Sequence, residues 1–316
     1  MSCFICDWFK KVIAWLKGED ENEYVYYNPA APESINPTPV YEADGRLKRA
    51  LLVGINVYEG DGNDLSGCVN DVDAMRSLLI NSFGFHPDNI RVVTDERATR
   101  EEIVRRLKWL VTGVSTGSEL VFHYSGHGSQ VRDRWDGDEL DDFMDEILCP
   151  TDMDWDNPLR DDDLYNILRS LPPGVFLSCI IDACHSGTMT RDGKNKDRKI
   201  KFMEPPYDIS TRVMDRTLTT RSFAKSFQKD VQNHVLLSGC KDNQYSSDAY
   251  IEGRWRGAMT WSFIKAVESN SGDSNWVDIH RKLSQTLKDE EYEQDPQLSG
   301  ATNLITRSIF GGKQNK

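Results

Sequence analysis

Val175–Asp182 (VFLSCIID), running straight into Ala183–Gly187 (ACHSG), is an apolar run that stops abruptly in small and reactive residues. An unalternating apolar run of this length is what a strand buried on both faces requires. The same grammar appears upstream. Glu119–Tyr124 (ELVFHY) leads into a glycine-rich turn, Ser125–Ser129, and Arg49–Asn56 (RALLVGIN) reads as another buried strand. Helical patterns lie between them. One covers Cys68–Phe83 and ends before Gly84; one opens at the capping box of Thr99 and Glu102 and runs through about Leu110. A third is capped by Asp161–Asp163 and continues through Leu171, where Pro172 and Pro173 stop it. Asn89–Thr94 is a short strand. Val235–Ser238, helices near Met259–Val267 and Val277–Glu291, and a final strand near Leu304–Phe310 complete the body. Strands alternating with helices predict an α/β fold, with a mostly parallel central sheet covered on both faces.

Working outward, residues 1–46 read as an N-terminal arm and a Pro-rich linker. Phe4, Ile5, Trp8, Phe9, Val12, Ile13 and Leu16 recur at helical spacing, and docking of this helix on the protein's own body is favoured over a membrane surface. Cys3 and Cys6 form a C-x-x-C without a second pair, which argues against zinc. Residues 188–230 lose the strand–helix rhythm and form a basic linker, after which residues 231–316 rejoin the same domain. The 316 residues suffice for a large core, and no apolar run of about 18 exists to span a bilayer. Charges at Asp7, Lys10 and Lys11 interrupt any secretory signal, and seven cysteines, an odd count, read as reduced thiols. Both point to a cytoplasmic protein. The formal net charge of −13 argues against a nucleic-acid partner.

The chemistry concentrates at two turns, Tyr124–Gly128 (YSGHG) and Asp182–Gly187 (DACHSG). In a parallel sheet, residues just past the carboxyl ends of neighbouring strands converge in one crevice. His127 and Cys184 can therefore meet although they lie 57 positions apart. A thiol is mostly protonated near neutrality, and an imidazole beside it makes the nucleophilic thiolate. The amides of Gly128 and Cys184 are candidates for an oxyanion hole. His185 and His123 are rival bases, but strand alternation sends His123 to the face opposite Phe122 and Tyr124. Cys179 reads as a small buried hydrophobe.

Tyr124–Gln130 (YSGHGSQ) and Asp182–Thr188 (DACHSGT) resemble the histidine and cysteine boxes of metacaspases, relatives of the caspases. The resemblance extends to Leu52–Asn56, Leu65–Asp73 (LSGCVNDVD), Asp136–Glu139, Pro150–Asp152, Ser238–Gln244 (SGCKDNQ) and Gly257–Phe263 (GAMTWSF). It covers roughly residues 47–310, with 47–187 large-subunit-like and 231–316 small-subunit-like. It implies a caspase-like three-layer sandwich and a calcium-dependent cysteine endopeptidase working through an acyl-enzyme. It also implies an acidic specificity pocket at Cys68, Asp71, Ser125 and Asp182, suited to Arg or Lys by charge and, for Arg, by fork geometry. A clostripain- or gingipain-type peptidase is a further relative, which the DACHSG, SGCKDNQ and GAMTW segments disfavour.

The resemblance further implies calcium ligands at Asp145, Asp161, Asp162 and Asp192, where the spacing after Cys184 departs by one residue. Hard cations want several carboxylate oxygens, and between Asp133 and Asp163 stand fourteen acidic residues against two Arg. The run Asp152, Asp154, Asp156 and Asp163 mimics an EF-hand loop but has Asn157 where glycine belongs, and Pro158 follows. The linker carries Arg191, Lys194, Lys196, Arg198, Lys199, Lys201, Arg212, Arg216, Arg221, Lys225 and Lys229. An enzyme cutting after basic residues would find a substrate there, so a zymogen with autoprocessing is expected. Surface lysines in a loop are the simpler account. The competing reading from another class is a catalytically silent caspase-like scaffold or regulatory protein. The expected partners are Arg- or Lys-containing protein or peptide substrates, met by a monomer.

Overall fold

Lys48–Gly54 (β1) is buried along its whole length and sits inside a six-stranded sheet. A computed structural model describes residues 38–60, 62–132, 144–184, 197–210, 233–240, 244–270 and 272–313. The expected N-terminal helix at Phe4–Leu16, His185, Asp192 and the linker cations outside 197–210 lie beyond the described residues.

After β1 come Cys68–Phe83 (α1), Ile90–Thr94 (β2), Arg100–Val111 (α2) and Glu119–Ser125 (β3). Gly128–Arg132 (β4), Met144–Leu148 (β5) and Leu159–Arg160 (β6) make a small antiparallel sheet, followed by Asp161–Leu168 (α3) and Phe176–Asp182 (β7). The second half contributes Arg198–Ile200 (β8), His234–Ser238 (β9), Ser247–Ile251 (β10) and Arg254–Gly257 (β11). Ala258–Glu268 (α4), Trp276–Asp289 (α5) and Gln297–Gly300 (β12) follow. The main sheet has the order β12-β9-β7-β3-β1-β2, parallel throughout except for β12 on its edge. The remaining strands form an antiparallel sheet β11-β10-β8.

Alternation along β3 divides the core. Leu120, Phe122 and Tyr124 join Ile103, Leu107 and Leu110 of α2 and Leu164 and Leu168 of α3 on one face. On the other, α1 packs on β1 and α4, and α4 on α5. Two cations buried in β1 have structural employment. Lys48 donates to the Phe83 carbonyl at the end of α1, and Arg49 donates to the Trp109 and Thr112 carbonyls at the end of α2. Each satisfies helix-terminal acceptors at the negative end of the dipole.

The α/β reading and the mostly parallel sheet are observed. Half of the capping box at α2 is present, Thr99 accepting from the Glu102 amide, while Glu102 turns its carboxylate to Arg105 and Arg106. The strand expected near Leu304–Phe310 is instead a short helix, Thr302–Ile305, and a helical turn at Ile309–Gly311; the edge strand is β12, just before. The reason lies in packing. Phe310 takes φ +51° and lies edge-on to Phe83, Phe85, Phe263 and Trp276, a burial that extended backbone does not supply. Among the described residues, no helix is long and apolar enough to cross a membrane.

Candidate active site

Strand register aligns the two reactive turns. Ser125 at the end of β3 is the register partner of Asp182 at the end of β7. His127 and Cys184 each lie two residues beyond that rung, so both overrun the sheet by the same amount. His127 follows β3, the neighbour of β1, where the chain leaves for β2 on one side and returns to β3 on the other; Cys184 follows β7, the next strand outward. Ligand crevices of open α/β sheets form at such a switch point.

His127 is held through its backbone. Its amide donates to the Tyr58 hydroxyl (2.7 Å), and the Tyr124 hydroxyl donates to its carbonyl (2.7 Å). Gly126 is required here, because a Cβ at that position would come within 2.7 Å of both tyrosine oxygens. On the ring, Nε2 lies 2.6 Å from the Asn63 carbonyl, which only accepts, so this nitrogen carries the proton. Nδ1 is buried without a hydrogen bond and is the basic nitrogen. Burial lowers the imidazole to about 4, so it is neutral near pH 7. His123 is fully buried, with Nε2 3.3 Å from Thr260 Oγ1, and burial depresses it to about 3.

Cys184 is 0 % exposed, and its sulfur accepts from the Ser246 amide at 2.5 Å. Cys240, a free thiol, shares a hydrogen bond with Cys184, a contact that together with burial pushes the Cys240 thiol up. The amides of Gly128 and Cys184 converge on one atom: each donates to the carbonyl of Lys201 at 3.1 Å.

The Lys201 side chain enters the expected pocket. Its ammonium lies 2.8 Å from Ser125 Oγ, 3.1 Å from Asp182 and 3.4 Å from Asp71, and it is 0 % exposed. Cys68 is buried beside it and shares a hydrogen bond with Ser125. Gly257 forms a wall that sequence reading passed over. A Cβ there would collide with Asp182, Lys201 and Asp71 together, and its amide donates to both Asp71 oxygens at 2.9 Å. Thr260 and Ser246 donate to Asp182. Burial works against charge on both carboxylates. At Asp182 the ammonium and these hydroxyls outweigh burial and hold the acid below its usual range. At Asp71 burial prevails and lifts the carboxyl to about 7.

The rest of the segment lies in the crevice as an added strand. β8 pairs antiparallel with β10, with Ile200 opposite Ser247, and the Lys201 amide donates to the Ser246 carbonyl at 3.0 Å. Phe202 bridges Gly128, and the Met203 amide donates to the Gly128 carbonyl at 3.0 Å. Position 201 offered no sequence signal beyond being one cation among many.

The carboxylates expected to hold calcium are only partly visible. Asp145 pairs with the Arg160 guanidinium, Asp161 and Asp162 open α3 immediately after it, and the Asp161 carboxylate accepts from the Asp162 amide. Their oxygens are the right donors for a hard cation, and Arg160 stands as the cation on Asp145. Among the described residues, no three His, Cys, Asp or Glu side chains converge as a metal cage. The EF-hand-like run is used locally: Asp152 accepts from the Arg100 amide, Asp154 from the Asp156 amide, and Asp163 pairs with Arg100.

Comparison with known proteins identifies the family. The family model described as "Metacaspase, peptidase C14 domain" matches residues 48–192. Metacaspase-1 of Meyerozyma guilliermondii is 34% identical over 80% of this chain and 69% of its own length. Metacaspase-1 of Arabidopsis thaliana is 34% identical over 84% and 71%. Among solved structures, caspase-1 from Spodoptera frugiperda matches with a TM-score of 0.55 at 12% identity, covering 88% of this chain and 98% of that one. A Geobacter sulfurreducens protein matches with a TM-score of 0.62 at 23% identity over 83% and 98%. The caspase-like fold, the paired histidine and cysteine turns and the relatives in fungi and plants together make this chain a member of the metacaspase family of cysteine-type peptidases.

Proposed function

We propose that this chain is an endopeptidase that cleaves after Lys or Arg, with Cys184 as nucleophile and His127 as base, and that its first substrate is its own Lys201–Phe202 bond. One observation carries the reading. Lys201 has its ammonium between two buried carboxylates while its carbonyl accepts both turn amides. A side chain in a specificity pocket and a carbonyl in an oxyanion hole describe a bound substrate.

The steps follow from these groups. Nδ1 of His127 takes the thiol proton, and the Cys184 sulfur adds to the Lys201 carbonyl carbon. The amides of Gly128 and Cys184 hold the developing oxyanion. The C–N bond to Phe202 then breaks as His127 returns the proton to the leaving amine. Water, deprotonated by His127, attacks the thioester, and the sulfur leaves as the thiol when the proton comes back. Asp71 and Asp182 fix the register by binding the cation, Asp182 bearing the charge and Asp71 sharing it above pH 7. Calcium dependence belongs to the same proposal, with Asp145, Asp161, Asp162 and Asp192 as its ligands; when bound, the ion supplies positive charge to this acidic region.

The test pairs fluorogenic peptides ending in Arg, Lys or Asp, with calcium or chelator, and gel analysis of the chain itself. Cleavage after Arg and Lys alone, lost in Cys184→Ala, is expected, as is a linker cut abolished in both Cys184→Ala and Lys201→Ala. Cleavage without calcium would leave the peptidase and remove the metal. No cleavage of any peptide would leave the scaffold reading.

A further inference from the structure

The strand ahead of Lys201 is cationic at two more positions, and both cations are received by built surfaces. The Arg198 guanidinium stands 4.3 Å over the Tyr292 ring and donates to the Glu291 carbonyl at 3.1 Å. That carbonyl lies just past the C-terminus of α5, where the helix dipole favours positive charge. Lys199 stands 5.4 Å over the Trp255 ring and donates to the Asp64 carbonyl (3.0 Å) and to Ser66 Oγ (2.9 Å). The backbone of both residues is held. The Tyr292 amide donates to the Leu287 carbonyl, and the Trp255 carbonyl accepts from Asn70 while its ring meets Tyr250 edge-on. Asp248 is buried on β10 opposite Lys199; burial lifts its carboxyl above the usual range, and Lys201 and Lys199 work against that rise.

We infer that this channel reads cations at three places, with Tyr292 and Trp255 as specificity-determining residues for basic side chains four and three positions ahead of the cut bond. The substrate class is then a polybasic segment, Arg/Lys–Arg/Lys–x–Lys/Arg, bound as an added strand on β10. The inference rests on the reading that residues 198–203 lie as a substrate does. Its chemistry is independent of the catalytic steps. An aromatic face and backbone carbonyls attract any cation presented by the strand, and main-chain pairing with β10 sets which side chain meets which surface. The net charge of −13 supports the same partners by steering.

The experiment uses the full chain, incubated with calcium until its linker is cut, and four peptides carrying a fluorophore after the last residue: Arg-Lys-Ile-Lys, Ala-Lys-Ile-Lys, Arg-Ala-Ile-Lys and Ala-Ala-Ile-Lys. Each replacement by Ala is expected to lower kcat/KM about three- to tenfold, mostly through KM. A peptide with Glu at the first position should fall further. Tyr292→Leu should bring the ratio of the first two peptides close to one, whereas Tyr292→Phe, which keeps the ring, should preserve it. Melting temperatures of both variants separate a lost subsite from a lost fold. Equal rates on all four peptides would overturn the inference while sparing cleavage after Lys. No cleavage of any of them would overturn the substrate-like reading of the linker and this inference with it.

Discussion

Two acidic regions of this molecule treat their carboxylates in opposite ways. The pocket uses two, Asp71 and Asp182, drawn from α1 and β7 and almost wholly buried. The stretch between Asp133 and Asp163 carries fourteen acidic residues. Among its described members Asp145, Glu146 and Asp161 are buried, whereas Asp152, Asp154, Asp156 and Asp162 are exposed, and Asp152 and Asp154 serve local turns and helix starts. Burial separates the pocket acids from these exposed ones. A carboxylate out of water costs several kcal/mol unless a partner compensates it, so a few buried acids select a cation. Acids in water are worth little individually.

The contrast can be broken most forcefully at Asp182. Asp182→Asn removes the acid that bears the charge and leaves the ammonium with Asp71 alone. Loss of one partner of a buried pair is worth roughly 3–5 kcal/mol, so kcat/KM on Lys peptides should fall on the order of 10²- to 10⁴-fold. A fall below tenfold would show that the pocket does not read charge.

The next effect is a pH dependence. With a cation bound, Asp71 titrates at about 7; an empty pocket raises it further, because the ammonium is a favourable partner for its charge. Affinity for a cationic side chain therefore gains nothing from Asp71 below pH 7 and rises as the pH climbs above it. Asp71→Asn should flatten that limb in a KM-against-pH profile, and an unchanged limb would assign it elsewhere.

A smaller effect is expected in the acidic stretch. Calcium at 100 times its Kd adds about 2.7 kcal/mol to stability, a rise in Tm of roughly 5 °C or more for a domain of this size. Asp145→Asn should remove most of that rise in a calorimetric scan. Smallest of all, Asp154→Ala deletes one turn-stabilising bond to the Asp156 amide and should cost less than about 1 kcal/mol with peptidase activity unaltered.

The same contrast explains what the sequence made legible. Buried parallel strands announce themselves as continuous apolar runs, and reactive residues two positions past their ends are local signals, so β3, β7, His127 and Cys184 could all be read. Asp71, Ser125 and Asp182 came by resemblance, and the pocket's remaining parts were silent. Gly257 is an ordinary glycine until its missing Cβ is seen between Asp71 and Asp182. Lys201 is one of eleven cations in the linker, distinguished only by its register against β10 and Gly128. Tertiary packing likewise hid the turn at Phe310, where an aromatic cluster overrode an apolar stretch that resembled a strand.

The Lys201 carbonyl between two amides has a kinetic consequence. A segment tethered in its own active site is a competitor whose local concentration, on the order of millimolar for a short tether, does not fall on dilution. Uncut chains should therefore show a lag on peptide substrates, with a duration independent of enzyme concentration when the first cut is intramolecular. After that cut the same residue ends in a free carboxylate whose oxygens still fit the amides of Gly128 and Cys184. On the proposed autoprocessing, departure of that terminus should be what ends the lag.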